Sequence, residues 1–239
     1  MFQPKTATFI LILAASGLSA TSAIANEAAE KGLAIALEAD SRDKGFGDTA
    51  STLQMTLRNR HGDETTRQMR SRVLEIADDG DKSLIIFDDP ADVKGTAFLS
   101  FSYKSGDDDQ WLYLPALKRV KRISSSNKSG PFMGSEFAYE DLSSQEVEKY
   151  TYLYLRDEEI DGRQHFVIER KPVDKKSGYT KQIVWIDQDE YRVWKVEYYD
   201  RKEALLKTLE FSGFERYVDQ FWRASVLQMT NHQTGKSTT

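Results

Sequence analysis

From Thr52 onward the chain alternates apolar with polar residues, and that period of two governs most of what it can fold into. In the first such segment Leu53, Met55 and Leu57 share one face while Gln54, Thr56 and Arg58 share the other, the pattern of a strand half-buried in a sheet. After the turn His61-Gly62-Asp63-Glu64, a second strand runs from about 66 to 76. Similar patterning predicts strands over 83–87, 96–103, 110–114, 119–123, 148–155 and 164–170. It continues over 179–187, 191–199, 204–212, 214–218 and 221–230. Asp79-Gly80, Gly106 beside three aspartates, Asp161-Gly162, Ser177-Gly178 and Asp187-Gln188-Asp189 supply the turns. Only residues 27–40, rich in Ala, Leu and Glu, read as a helix, and Gly45 and Gly47 end that region. No helices alternate with the strands, so the expected fold is mainly β with an antiparallel, meandering sheet.

Such a sheet has more apolar area than its helix can cover. Ala97, Leu99, Phe101 and Tyr103 line one side of their strand. Tyr150, Tyr152 and Tyr154 do so in another, and Trp194, Val196 and Tyr198 in a third. Ten strands about 4.8 Å apart span roughly 45–50 Å. A 14-residue helix is about 21 Å long and about 10 Å across. Either the sheet closes on itself as a sandwich, or it curls into a partial barrel with an apolar cavity.

The compartment is set at the N-terminus. Lys5 is the only charge before Glu27, the apolar run Phe9–Ala15 follows it, and Ala23-Ile24-Ala25 fits the cleavage rule of a secretory signal. The expected organisation is a signal peptide over 1–25 and one exported domain over 26–239, placed in the periplasm. No later stretch reaches the roughly 18 apolar residues of a membrane helix. Zero cysteines exclude disulfide scaffolds, thiolate metal sites and thiol nucleophiles. A net charge of -5 argues against a general nucleic-acid binder.

Catalytic signals are sparse. There is no G-x-S-x-G elbow and no H-E-x-x-H, and His61, His165 and His232 are scattered. Gly235-Lys236-Ser237 resembles the end of a phosphate loop, but Thr230 stands where its leading glycine belongs, so a hairpin turn is expected. Asp107-Asp108-Asp109 reads as a solvated turn. Glu136, Glu140 and Asp141 lack the paired geometry of a hydrolase. The expectation is a protein that is not an enzyme and has no cofactor or metal. Two features stay open. The basic run Lys118, Arg119, Lys121 and Arg122 is either a solvated strand guarding a sheet edge or a rim for anionic headgroups or an acidic partner. Phe132, Met133 and Phe137, beside Gly130, Gly134 and a Ser-rich stretch, form either a core plug or a lid over a cavity.

Several elements occur in order: Asp88-Asp89-Pro90, Lys94-Gly95-Thr96-Ala97, Trp111-Leu112-Tyr113-Leu114-Pro115, Arg119-Val120-Lys121-Arg122-Ile123, Phe132-Met133-Gly134-Ser135-Glu136-Phe137 and Tyr139-Glu140-Asp141-Leu142. Together the chain resembles the outer-membrane lipoprotein-sorting proteins, relatives of the periplasmic carrier LolA, over essentially all of residues 26–239. The resemblance implies a curved antiparallel half-barrel with the helix on its concave face, and a carrier of lipid or lipoprotein acyl chains toward the outer membrane. A non-transporting lipid sensor is the alternative, and an inner-membrane exporter of the resistance-nodulation-division type is the implied partner. Candidate cavity or lid residues are Leu99, Phe101, Trp111, Tyr113, Phe132, Met133 and Phe137. Similar proteins continue past Thr239, so a C-terminally truncated domain with an unpaired sheet edge is expected.

Overall fold

The computed structural model describes residues 17–239; the first 16 residues of the predicted signal peptide lie outside them. The alternating segments form one antiparallel sheet of 13 strands that does not close on itself. The first half contains β1 (Asp48–Arg58), β2 (Glu64–Leu74), β3 (Lys82–Asp89), β4 (Ala97–Phe101), β5 (Asp109–Leu114) and β6 (Arg119–Ile123). The second contains β7 (Tyr150–Ile160), β8 (Arg163–Pro172), β9 (Lys181–Asp187), β10 (Val193–Tyr199), β11 (Leu205–Tyr217) and β12 (Phe221–Asn231). Each half is a meander, and β13 (Lys236–Thr238) joins them between β1 and β12, leaving β6 and β7 as the edges.

This junction is short. β13 pairs with β1 only at Leu57 and Arg58, and with β12 only at Met229, Thr230 and Asn231. Beyond Thr56, which exchanges backbone hydrogen bonds with Thr239, β1 and β12 run on without pairing to each other. Along this unpaired stretch Leu53, Val226 and Leu227 keep more than a third of their area exposed.

Two sequence readings are corrected by backbone geometry. The strands expected at 204–212 and 214–218 are one, because Gly213 adopts φ 64°, a left-handed conformation open to glycine, without breaking the pairing of β11 with β12. A β-bulge between Val193 and Lys195 then separates Trp194 from Val196 and Tyr198. Trp194 turns instead toward the opposite face, where its Nε1 donates to Asp187 Oδ2 at 2.8 Å.

α1 (Gly17–Asp43) covers part of the concave face of the second half. Its buried or half-buried positions, Ala28, Ala29, Gly32, Ile35, Ala36 and Ala39, recur at helical spacing, as an amphipathic stripe requires. Gly32 permits the closest approach: a Cβ there would sit 2.7 Å from the Tyr154 amide nitrogen. One residue earlier, Lys31 Nζ lies 3.4 Å from the Tyr154 ring centroid, pinning the helix to β7. Ile35 and Ala36 join Ile168, Val184, Ile186, Val196, Leu209 and Met229 in one core cluster. Among the described residues no α-helix covers the first half. There the loop 131–142 fills the concavity, and Phe132 packs with Met69, Phe87, Phe98 and Leu112 in a second cluster.

Candidate functional site

Between the helix and the loop the concave face is not filled. A cavity of about 1370 Å³ lies open there. Its floor is apolar, built by Tyr152, Ile168, Val184, Ile186, Val193 and Phe211 from β7 to β11. These inward positions of the second half face Ala36 and Ala39 of α1. The hydroxyl of Tyr152 donates to Val147 O at 3.1 Å, and burial pushes its pKa far up, so the phenol stays neutral. Arg170, the cross-strand partner of Tyr152, also lines the cavity. Asp40, Glu75, Asp81 and Glu146 stand on the wall, as do Arg192, Arg216 and Arg223. Burial, aided by the carboxylates of Glu146, Glu75 and Asp43, raises Asp81 to about 6.

The connection from α1 to β1 crosses this mouth. Both Glu75 oxygens accept backbone N–H groups from it, Gly45 and Gly47, each at 2.7 Å, and these bonds hold the Glu75 carboxyl below its usual range. Asp43 pairs with Arg223 of β12, and Phe46 meets Phe221 edge-on at 6.4 Å. Arg42 donates to Asp189 O at 3.0 Å and lies over the Tyr191 ring. The last turn of the helix is therefore fixed to both β2 and the second half.

The loop that fills the first half is held just as definitely. Asp141 and Lys207 of β11 form an ion pair at 2.7 Å with side chains only 3% and 4% exposed. Tyr179 and the Ala138 amide also donate to Asp141, and Lys207 donates to Glu136 O at 2.8 Å. Asn231 donates to the Glu136 carboxylate. Glu140 accepts from the Ser177 hydroxyl and the Gly178 amide, while its burial raises its pKa. All three carboxylates of the motif thus tie the loop to the second half. None of them lines the cavity.

The predicted cavity residues lie elsewhere. Phe132 is fully buried, its ring 5.2 Å from Phe98 and 5.7 Å from Tyr139. Met133 packs against the same cluster, and Phe137 against the core of the second half. Leu99, Phe101, Trp111 and Tyr113 share one face of β4 and β5, but it is the outer one, because Phe98 and Leu112 take the core side. Leu99 also borders a smaller hollow of about 320 Å³ beside Arg72, Leu74 and Leu84. Lys118, Arg119, Lys121 and Arg122 are exposed at the edge strand β6 and the turn before it, away from the cavity mouth, and Arg122 pairs with Asp109. The aspartate run is occupied by cations, Asp107 by Lys176 at 2.8 Å and Asp108 by Lys149 at 2.6 Å. Among the described residues, no cluster of His, Asp and Glu is suited to a metal ion. Gly235-Lys236-Ser237 closes the expected hairpin between β12 and β13.

The described residues form an open half-barrel roofed by one helix over an apolar concavity. The chain belongs to the outer-membrane lipoprotein-sorting, LolA-like family. It is 62% identical to a domain described as an outer membrane lipoprotein-sorting protein from Vibrio parahaemolyticus, with a TM-score of 0.87 over 88% of this chain and 89% of that one. A DUF1329 family protein from Desulfovibrio piger is 34% identical, with a TM-score of 0.83 over the same shares of the two chains. A LolA superfamily protein from Nitrosomonas europaea, 22% identical over 87% of this chain and 89% of that one, shares the fold with a TM-score of 0.69. A family profile described only as uncharacterized protein matches residues 79–239. No curated protein matches the chain.

Proposed function

We propose that this protein is a periplasmic carrier that shelters lipid or lipoprotein acyl chains in the concave cavity during transfer toward the outer membrane. The observation that carries this reading is the unfilled apolar floor of Tyr152, Ile168, Val184, Ile186, Val193 and Phe211 beneath α1. Each CH₂ buried there is worth about 0.8 kcal/mol, so an acyl chain binds without any polar anchor. Family membership supports the same reading, since a relative 62% identical is described as a lipoprotein-sorting domain. Carriage of this kind needs no bond-making residue, and the carboxylates of the loop motif are already committed to structural ties.

Export through a signal cleaved after Ala25 fits the helix. Ile24 to Glu27 are exposed, and the sheet-facing Ala28, Ala29, Gly32, Ile35, Ala36 and Ala39 all lie after the cleavage point.

Native mass spectrometry of protein purified from its own periplasm tests the proposal, with a co-purifying lipid as the expected result. Ala39→Trp, at a half-buried helix position that lines the cavity, should lower affinity for a fatty-acyl probe about tenfold or more while the protein stays folded. If no lipid co-purifies and saturating fatty acid leaves the melting temperature unchanged, the carrier reading is wrong.

A further inference from the structure

The outer face of the first half carries a surface that neither the cavity nor the core uses. Cross-strand pairing sets its residues in rows. One row runs Arg72, Leu84, Leu99, Trp111, Arg122 across β2 to β6, with a cation at each end and apolar groups between. Beside it runs Arg70, Ile86, Ala97, Tyr113, Val120. On the other side lies Leu74, Lys82, Phe101, Asp109. Because Phe87, Phe98 and Leu112 hold the inner face of these strands, the rows must point outward. They are only partly covered: Val120 is 60% exposed, Leu74 50% and Tyr113 38%, while Leu84, Ile86, Leu99, Phe101 and Trp111 are half-buried.

The second half handles its outer face differently. There Val167, Ile183 and Trp185 are buried, with Ile160 and Tyr199 packed on them. Lys195 Nζ sits 3.5 Å from the Trp185 ring centroid, and Lys181 Nζ 4.9 Å from that of Tyr199. In the first half Lys82 likewise lies 4.8 Å from the Phe101 ring centroid, while Tyr113 and Val120 stay open to water.

Charge indicates what would cover it. The three rows carry Arg70, Arg72, Lys82 and Arg122 against Asp109, with Asp88 paired to Arg70. Lys118, Arg119 and Lys121 continue the positive field at the edge, and among the described residues none of these three forms an ion pair. This field stands on a chain of net charge -5. The band crosses five strands, about 20 Å, and interleaves Trp, Tyr and Phe with long cationic side chains. Such amphipathic side chains suit a bilayer interface, where rings sit at headgroup depth and cations reach lipid phosphates.

We propose that the outer face of β2–β6 docks this protein on an anionic bilayer surface. Docking does not depend on acyl carriage, so either reading can fail alone. The test is flotation with vesicles of phosphatidylethanolamine and phosphatidylglycerol, compared with phosphatidylcholine alone. The domain without residues 1–25 should float with the anionic vesicles in a salt-sensitive way, and much less with the neutral ones. Arg72→Glu with Lys82→Glu should weaken binding about 10- to 100-fold. Val120→Asp, at a largely exposed site, should weaken it without changing the melting temperature. Lys171→Glu, on β8 of the other half, is the control and should bind normally. Brominated lipid should quench Trp111, so Trp111→Phe should abolish that quenching although Trp185, Trp194 and Trp222 remain. Equal flotation of the folded surface variants, quenching that survives in Trp111→Phe, or capture of an acidic protein with no vesicle binding would each overturn the proposal.

Discussion

The two halves of this sheet are built from similar meanders and handle the same apolar excess in different ways. The first half is filled from within by loop 131–142, whose Phe132 fits a ring cage of Phe87, Phe98 and Tyr139. The second is roofed by α1, which touches mainly β7 and leaves the floor from β8 to β11 open as a cavity. A loop can fold its side chains down into a concavity. A straight helix about 10 Å across contacts a curved sheet along one line only. The choice of cover thus decides whether strands of similar composition make a core or a binding site.

That contrast can be broken in graded steps. The largest effect is expected at the plug. Phe132→Ala should cost about 4 kcal/mol of stability, measured by denaturant unfolding, and leave acyl-probe affinity of the folded fraction nearly unchanged. A large change in affinity with little loss of stability would make the loop a lid after all. Lys207→Met, which strands the buried Asp141 carboxylate, should cost about 3 kcal/mol. If that variant is as stable as the parent, the ion pair is not what anchors the loop to β11.

Helix docking should show a smaller and mixed response. Gly32→Ala drives a Cβ into the backbone of Leu153 and Tyr154, so α1 must lift. A loss of about 2 kcal/mol is expected, with altered ligand exchange, whereas a neutral result would mean that the helix is already loose on β7. The smallest effect concerns Asp81 at the mouth, which burial raises to about 6. The folded state favours its protonated form, so the stability it adds is complete below the usual carboxylate range. That stability is lost as pH rises through about 6. Asp81→Asn should flatten the pH–stability curve over that window and raise stability at neutral pH by about 1 kcal/mol, a screened value for a partly exposed group. An unchanged curve would show that Asp81 is solvated in the folded protein.

Much of the architecture was legible because its signals are local. Alternation located the strands, and β6 spans the expected 119–123. The helix, although it begins at Gly17 rather than 27, and the shortage of cover were equally plain. Faces were harder to assign. Alternation says that Leu99, Phe101, Trp111 and Tyr113 lie together, but it is symmetric between inside and outside. The structure sets these four on the outer face, because Phe98 and Leu112 hold the core side. Trp194 departs from its row for a different reason, since one bulged residue reverses the parity of everything beyond it. The floor of the cavity had only a partial signal. Tyr152 stood in a recognised aromatic row, while Ile168, Val184 and Ile186 lie in strands buried on both faces, where alternation fades.

The sequence by itself determined the strand-rich antiparallel fold, the single covering helix and the surplus of apolar surface, because each follows from near-neighbour periodicity and elementary area. Tertiary structure alone decided where that surplus went. Lys207 meets Asp141 across 66 residues, and Asn231 meets Glu136 across 95. Those long-range bonds draw the loop into the first half and leave the second half hollow. No local pattern encodes them, since a buried charge is tolerable only beside a partner that the chain supplies after it has folded.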